Sequence, residues 1–445
     1  MKPTSWLFMV VTVVVMIATM GAGRRDANAQ GSGSGFRNPV AVVAEPFGTL
    51  AVIDQNLNAV LRVLSTTGDR TIVSSQDMGT GPNLSRPSDI AREANGTFVV
   101  VDENLNAVLR VDPTTGDRRV ISGCAQTQDP CPVPLIGTGP PFGRLVSVAV
   151  EDATSLIVVD FAAKAVLRVA LSTGNRTLLS DANRGGGPNL DEPMGIAVQS
   201  DGTLALIDTA LDAVVEVDPV TGDRRILSGC SDVPDPCPAP LVGSGPSFMR
   251  PVDVAIQPDR TLFVLDVELG AIVAVNPDTA SRTMVSDAAT GSGPVFLDPS
   301  GMTADLNNRL FVADPVRRAI MQVNPDSGER QIVSQAPTLN ISPGTGIYTA
   351  LQAFDLVLIV EGAIDDVSIA SATLNLIDVT SILNSCGIEQ RLTGGGVAIR
   401  CANASALFGL EPGRYRFDVR LNASVAGQGN MELRNIVFWY LLDES

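Results

Sequence analysis

Residues 38–75 read NPVAVVAEPFGTLAVIDQNLNAVLRVLSTTGDRTIVSS, and residues 192–229 read EPMGIAVQSDGTLALIDTALDAVVEVDPVTGDRRILSG. The two stretches align without a gap, and sliding the chain against itself gives six such copies. An aspartate closes the second apolar run of each: Asp54, Asp102, Asp160, Asp208, Asp266 and Asp314, separated by 48, 58, 48, 58 and 48 residues. Fifteen residues before each stands Pro39, Pro87, Pro193, Pro251 or Pro299, with Leu145 in the third copy. Sixteen residues after each stands an arginine: Arg70, Arg118, Arg176, Arg224, Arg282 and Arg330. One copy holds four short runs rich in Val, Ile and Leu, bounded by Gly, Asp, Pro and Ser; in the first they lie near Val40–Val43, Thr49–Ile53, Ala59–Val63 and Arg70–Ser74. Such runs are too short and too β-branched for helical repeats. Four strands at this period predict a propeller blade, and six copies predict a six-bladed β-propeller.

Outward from the blade, a Gly-x-Gly turn precedes each copy: Gly31-Ser32-Gly33, Gly79-Thr80-Gly81, Gly137-Thr138-Gly139, Gly185-Gly186-Gly187, Gly243-Ser244-Gly245 and Gly291-Ser292-Gly293. The longer spacing comes from ten extra residues after blades 2 and 4, within stretches that read GCAQTQDPCPVPL and GCSDVPDPCPAPL. Cysteine pairs at the same spacing sit in both, so local pairing of Cys124 with Cys131 and of Cys230 with Cys237 is the economical choice among fifteen, leaving Cys386 with Cys401. The ring thus reads as a tripled two-blade unit. From about Ile347 the blade text ends, and alternating runs such as FDLVLIVEG, RYRFDVRLNAS and RNIVFWYLL suggest seven or so strands of a small β-sandwich. The expected chain is therefore all-β: residues 1–29 a signal peptide, 31–340 the propeller and 345–445 the sandwich.

The blade text P-x-x-x-A-V…G-T-L-x-V-x-D…A-V-x-R-V…G-D-R resembles the NHL-type repeat and its relatives in the six-bladed propeller group, which includes the SMP-30/gluconolactonase-like propellers. The resemblance covers about residues 31 to 335 and implies the fold; propellers of this group serve both as enzymes and as binding scaffolds. The C-terminal segment resembles the Ig-like accessory modules of exported bacterial proteins.

Composition narrows the chemistry. Histidine is absent from the 445 residues, which removes Ser-His-Asp and Cys-His nucleophile systems, His-ligated zinc and imidazole bases. The formal charge of −17 argues against nucleic acid, and 4% aromatic content argues against stacking platforms. Lys2, the apolar run from Trp6 to about Met20 and Ala27-Asn28-Ala29 before Gln30 read as an export signal with a cleavage site. The expected location is secreted, periplasmic or extracellular, with no membrane span in the mature chain, and paired cysteines fit an oxidising compartment.

Candidate site residues are few. A ring of six aspartates suggests a cation site, but a residue repeated in every blade is better explained as a cap on the turn after its strand. The arginines start the fourth strands, roughly 20 Å from those aspartates at about 3.3 Å per residue, and read as surface residues beside Gly-Asp turns. Asp54-Gln55-Asn56 and Asp102-Glu103-Asn104 open like calcium loops, but lack the closing Glu. The Gly-x-Gly turns lack the lysine and helix of a phosphate cradle.

Resemblance to the lactonases implies a divalent metal, often calcium, held by Glu, Asn and Asp at the start of innermost strands. The corresponding residues here are Val40, Ser88, Val146, Met194, Val252 and Ser300, and one further on Ala41, Asp89, Ser147, Gly195, Asp253 and Gly301. Only Asp89 and Asp253 could ligate a metal, from blades on opposite sides of the ring, so no cofactor and no catalytic residue is expected. The expectation is a non-catalytic scaffold binding a protein or an extracellular surface ligand, on the face that carries the Cys loops. The alternative is a calcium-dependent lactonase or esterase with a rearranged site. Gly-rich loops, aspartate turns and Cys loops are all expected around the channel mouth.

Overall fold

The computed structural model describes residues 31–124, 135–230, 241–336 and most of 338–442. The segment read as an export signal, Cys131 and Cys237 lie outside the described residues. Among them no helix is long and apolar enough to cross a membrane.

Six four-stranded antiparallel sheets, each in sequence order, form the propeller. Blade 1 consists of Pro39–Ala44, Thr49–Asp54, Ala59–Leu64 and Arg70–Ser74, and the fourth blade of Pro193–Val198, Leu204–Asp208, Ala213–Val217 and Arg224–Gly229. The second strands are buried on both faces, because each blade is sandwiched between two neighbours; Leu50 to Asp54 and Phe98 to Asp102 are essentially inaccessible. That explains why these runs are continuously apolar instead of alternating. Each first strand touches the first strands of both neighbouring blades, and Gly301–Ala304 of blade 6 touches Pro39–Ala44, closing the ring around a channel.

All six ring aspartates are fully buried, a costly placement unless every oxygen is bonded. Asp102 shows how this is met. Its carboxylate accepts from the N–H groups of Ser85 and Arg86 in the loop leading into the blade and from Asn104 and Leu105 in the turn that follows (2.7–3.2 Å). The aspartates therefore cap the turn as expected and also pin the lead-in loop. Four residues after each aspartate the chain is left-handed, at Asn58, Asn106, Lys164, Asp212, Gly270 and Arg318, a conformation in which Asn, Asp and Gly are the least strained.

The six arginines are not surface residues. Arg70, Arg118, Arg176, Arg224, Arg282 and Arg330 are all buried. The Gly-x-Gly loops fold over them, so these loops lie along the outer strands and not around the channel mouth. Arg118 donates from Nε to the carbonyl of Pro82 (2.6 Å) and from Nη1 to Ser74 Oγ of the preceding blade (2.7 Å) and to the carbonyls of Ser75 and Met78 (2.8 Å each). Ser74 Oγ in turn donates to the carbonyl of Gly116 (2.6 Å). Gly81 must be glycine twice over: its φ is 97°, and a Cβ there would lie 1.9 Å from the Arg118 carbonyl oxygen. Burial depresses the arginines, Arg70 to about 10; rings such as Phe142, 5.1 Å from the Arg176 guanidinium, return part of the lost hydration.

The same serine–arginine clasp closes the ring. Arg70 Nη1 donates to Ser334 Oγ (2.6 Å), and Ser334 Oγ donates to the carbonyl of Gly68 (2.6 Å). Among the described residues blades 1 and 6 are each built from consecutive strands, with none exchanged between them. Ser32 and Gly33 dock on Arg70 as the lead-in loop of blade 1.

The C-terminal strands form two sheets. One joins Thr338–Ser342, Leu356–Glu361, Val397–Cys401 and Ile388–Arg391; the other joins Gly346–Thr349, Gly429–Leu442, Gly413–Val425, Ile364–Leu374 and Ile377–Asp378. Strand Thr338–Ser342 touches Gly429–Leu442 and Ile364–Leu374 touches Val397–Cys401, so the sheets are layered. Phe417, Val419, Leu421 and Ala423 alternate inward and are fully buried. Among the described residues nine strands stand where seven or so were expected. Gly346–Thr349 pairs parallel to Gly429–Leu442, and the Ig-like resemblance finds no further support in this order. Cys386, just after the short helix Thr380–Asn384, is bonded to Cys401. Cys124 and Cys230 are also disulfide-bonded.

Candidate functional site

The first strand of each blade is an edge strand, with its free edge turned to the channel. Its inward N–H groups need acceptors there. A β-bulge near the start of these strands, seen between Pro87 and Asp89 and between Pro251 and Asp253, turns one residue per blade into the channel. Both rings of residues singled out in the sequence line one cavity of ≈140 Å³, together with Gln55, Glu103 and Arg144 at its mouth.

Asp89 of blade 2 accepts from its neighbour Ile90 N–H (2.7 Å) and, on its other oxygen, from Ser147 Oγ (2.7 Å) and Val148 N–H (2.8 Å) of blade 3. Ser147 Oγ accepts from Ile196 N–H of blade 4 (3.3 Å). Asp253 of blade 5 accepts from Val254 N–H (2.8 Å) and from Met302 N–H of blade 6 (2.7 Å). Two carboxyls and one hydroxyl thus take up five inward amides and tie blade 2 to 3, 3 to 4 and 5 to 6. Small residues make room: a Cβ on Gly195 would lie 2.4 Å from Asp253 Oδ1.

Among the described residues no cationic side chain pairs with either carboxyl. Asp89 is pushed up to about 6 by burial, against the pull of its hydrogen bonds. Asp253 is pushed up to about 8, by burial first and then by the negative charge of Asp89. At neutral pH the pair holds about one proton. A divalent ion needs several ionised or carbonyl oxygens free to converge, whereas here each carboxyl oxygen already accepts a main-chain N–H. Among the described residues no three His, Cys, Asp or Glu side chains gather as a metal site. The donor set does not fit calcium.

At the mouth, the residue after each ring aspartate faces the next blade. Gln55 reaches the carbonyl of Pro87 (3.4 Å) and Thr209 that of Pro251 (2.7 Å). Glu103 pairs with Arg86 (3.0 Å) and with Arg144 of blade 3 (3.4 Å), whose guanidinium lies 4.7 Å from the Phe161 ring centre. Sequence reasoning passed over these residues. Their signal was the variation Gln, Glu, Phe, Thr, Val, Pro at one repeat position. Cys124 N–H and Cys230 N–H donate to the carbonyls of Asn106 and Asp212, which places the bases of both Cys loops at the aspartate-turn end of the blades. At that end of blades 5 and 6, Met249, Leu297 and Val316 are 50%, 52% and 61% exposed.

No family model matches the chain, and no curated protein matches it. Solved structures do. A structural-genomics protein from Bacteroides thetaiotaomicron aligns with TM-score 0.50 and 14% identity, over 68% of this chain and 75% of that one. Virginiamycin B lyase from Staphylococcus aureus aligns with TM-score 0.44 and 10% identity, over 82% and 94%. A gluconolactonase from Xanthomonas campestris aligns with TM-score 0.45 and 14% identity, over 69% and 88%. At these identities the likeness is one of fold.

Proposed function

We propose that this propeller is an exported, non-catalytic scaffold that binds a protein or a surface component at the end of the blades that carries the aspartate turns and the Cys loops. The observation that carries the reading is the exposed trio Met249, Leu297 and Val316. All three sit in rigid, aspartate-capped loops of adjacent blades: Met249 and Leu297 N–H donate to Asp266 and Asp314 at 2.8 Å each. Loops held by such hydrogen bonds lose little entropy on binding, and three large apolar side chains exposed at one end of adjacent blades offer a partner apolar surface to cover. The channel supports the same reading from the other side, since its carboxyls are engaged in joining blades.

A photo-crosslinking residue placed at Leu297, with one at the exposed Ala94 on the opposite end of blade 2 as control, tests this on the producing cell and its medium. A discrete adduct from position 297 alone, lost when Met249 and Val316 are changed to serine, is expected. Calcium-dependent turnover in a screen of lactones and aryl esters, abolished by Asp89→Ala and Asp253→Ala, would overturn the reading in favour of a hydrolase.

A further inference from the structure

The residue that follows the first strand and the fourth of the third strand form a pair that recurs around the ring. In blades 1, 2 and 3 it is Glu45–Arg62, Glu93–Arg110 and Glu151–Arg168, joined by ion pairs of 2.7, 2.6 and 2.5 Å. The arginine also spans the blade interface: Arg62 and Arg168 each donate to a proline carbonyl of the following blade, Pro113 and Pro219 (3.4 Å). Blade 4 replaces the pair with Gln199 and Glu216, and satisfies each locally, Gln199 Nε2 on Thr203 Oγ1 (2.9 Å) and Glu216 on Arg225 (2.7 Å). Blade 6 pairs Asp305 with Arg309 (2.7 Å).

Blade 5 has Gln257 opposite Ala274, and neither solution operates. Truncation from arginine to alanine leaves a cavity of ≈390 Å³ between blades 5 and 6, lined by Gln257, Ala274, Phe263, Asp259, and Pro325 and Asp326 of blade 6. Gln257 is only 5% exposed, and its Nε2 has no hydrogen-bond partner among the described residues. Arg260, the nearest arginine along the chain, is turned to Asp201 of blade 4 and to Asp278.

We propose that this cleft binds a guanidinium group, taking the arginine side chain of a partner polypeptide into the place that this chain's own arginines fill in blades 1 to 3. Pro325 is the counterpart of Pro113 and Pro219 and offers the same carbonyl. Asp259 and Asp326 supply negative charge, Phe263 an apolar wall for the stem, and Ala274 the room. Gln257 and Thr261, the counterparts of the bonded Gln199 and Thr203, both line the cleft, and the Gln257 amide oxygen is an acceptor for the ligand. The site lies at the opposite end of the blades from the apolar trio and is independent of the function proposed above.

The test is titration of N-acetyl-L-arginine amide into the full chain by calorimetry, beside its neutral isostere N-acetyl-L-citrulline amide. Saturable binding of the arginine probe is expected, at least about tenfold weaker for citrulline. Ala274→Arg fills the cleft from within and should abolish binding while keeping or raising Tm; Gln257→Glu restores the carboxylate of blades 1 to 3 and should tighten it about tenfold. Absence of saturation in the parent chain means that solvent alone occupies the cleft and overturns the proposal, as does undiminished binding to Ala274→Arg. Should that variant not fold, Gln257→Glu decides, and unchanged affinity rejects the site.

Discussion

Replacing Asp253 by asparagine should remove the pH dependence that this carboxyl imposes on the propeller. In the folded chain Asp253 holds its proton up to about pH 8, against 3.8 ordinarily. Between those values the folded state binds more protons than the unfolded state, so stability falls as pH rises. Each pH unit in that window costs up to about 1.4 kcal/mol, or about 4 kcal/mol from pH 5 to pH 8. The carboxyl keeps some contact with solvent through the channel, which reduces the expected loss to about 2–3 kcal/mol. Asparagine carries no charge, but its NH2 cannot accept, so one of the two amides, Val254 N–H or Met302 N–H, loses its partner. That costs about 1–2 kcal/mol at any pH. The variant should therefore be less stable than the parent at about pH 5 and more stable at about pH 8. Urea unfolding at several pH values reads both curves. Asp54, Asp102 and Asp208 are also raised by burial, but they contribute equally to both chains and cancel in the difference. No histidine titrates in this window. Parallel curves for parent and variant would refute the reasoning, because Asp253 would then be ionised in the fold at neutral pH.

Three further outcomes follow from the blade interfaces and the C-terminal disulfide. Arg118→Lys keeps a charge but not the fork that spans Pro82, Ser74 and Met78, and should lower stability by about 2–4 kcal/mol in urea unfolding. Gly187→Ala forces a Cβ to within 1.8 Å of the Arg224 carbonyl oxygen at a φ of 94°; a loss above about 3 kcal/mol, or no soluble protein, is expected. Cys401→Ser opens a loop of sequence separation 15 and should cost the C-terminal sheets about 3 kcal/mol. Proteolysis is then expected to cut beyond residue 338 while leaving the blades intact.

The blades were legible in the sequence because a ring repeats its constraints. Six aspartates at one register, each with Pro or Leu at fixed spacing, are what a recurrent loop cap produces, and the cap is what the carboxylates of Asp54 and Asp102 form. The arginines were misread for a physical reason. Their environment comes from a loop 36 residues earlier whose carbonyls, such as that of Pro82, turn inward only once Gly79 and Gly81 take left-handed conformations. Strand direction alone places Arg118 correctly and its burial wrongly. A trace was nonetheless present in the Gly-x-Gly-Pro text that precedes blades 2 to 6. The C-terminal sheets were less legible, because no repeat calibrates where one strand ends.

The same logic separates scaffold from function around the ring. A position that is the same in all six blades answers a demand that all six share, as Ser74, Ser122, Ser180, Ser228, Ser286 and Ser334 do by donating across each interface. Function must break the symmetry, so it is sought where one blade departs. Asp89 and Asp253 depart, yet their departures are absorbed by amides of blades 3 and 6, which leaves little for a ligand. Met249 and Leu297 depart by standing in water where the equivalent residues are Arg37, Ser85, Gly143 and Asp191. Ala274 departs by leaving Gln257 without the cation that three other blades provide. Among the described residues nothing compensates the last two departures, and a partner that compensates them gains what the fold has left unmade.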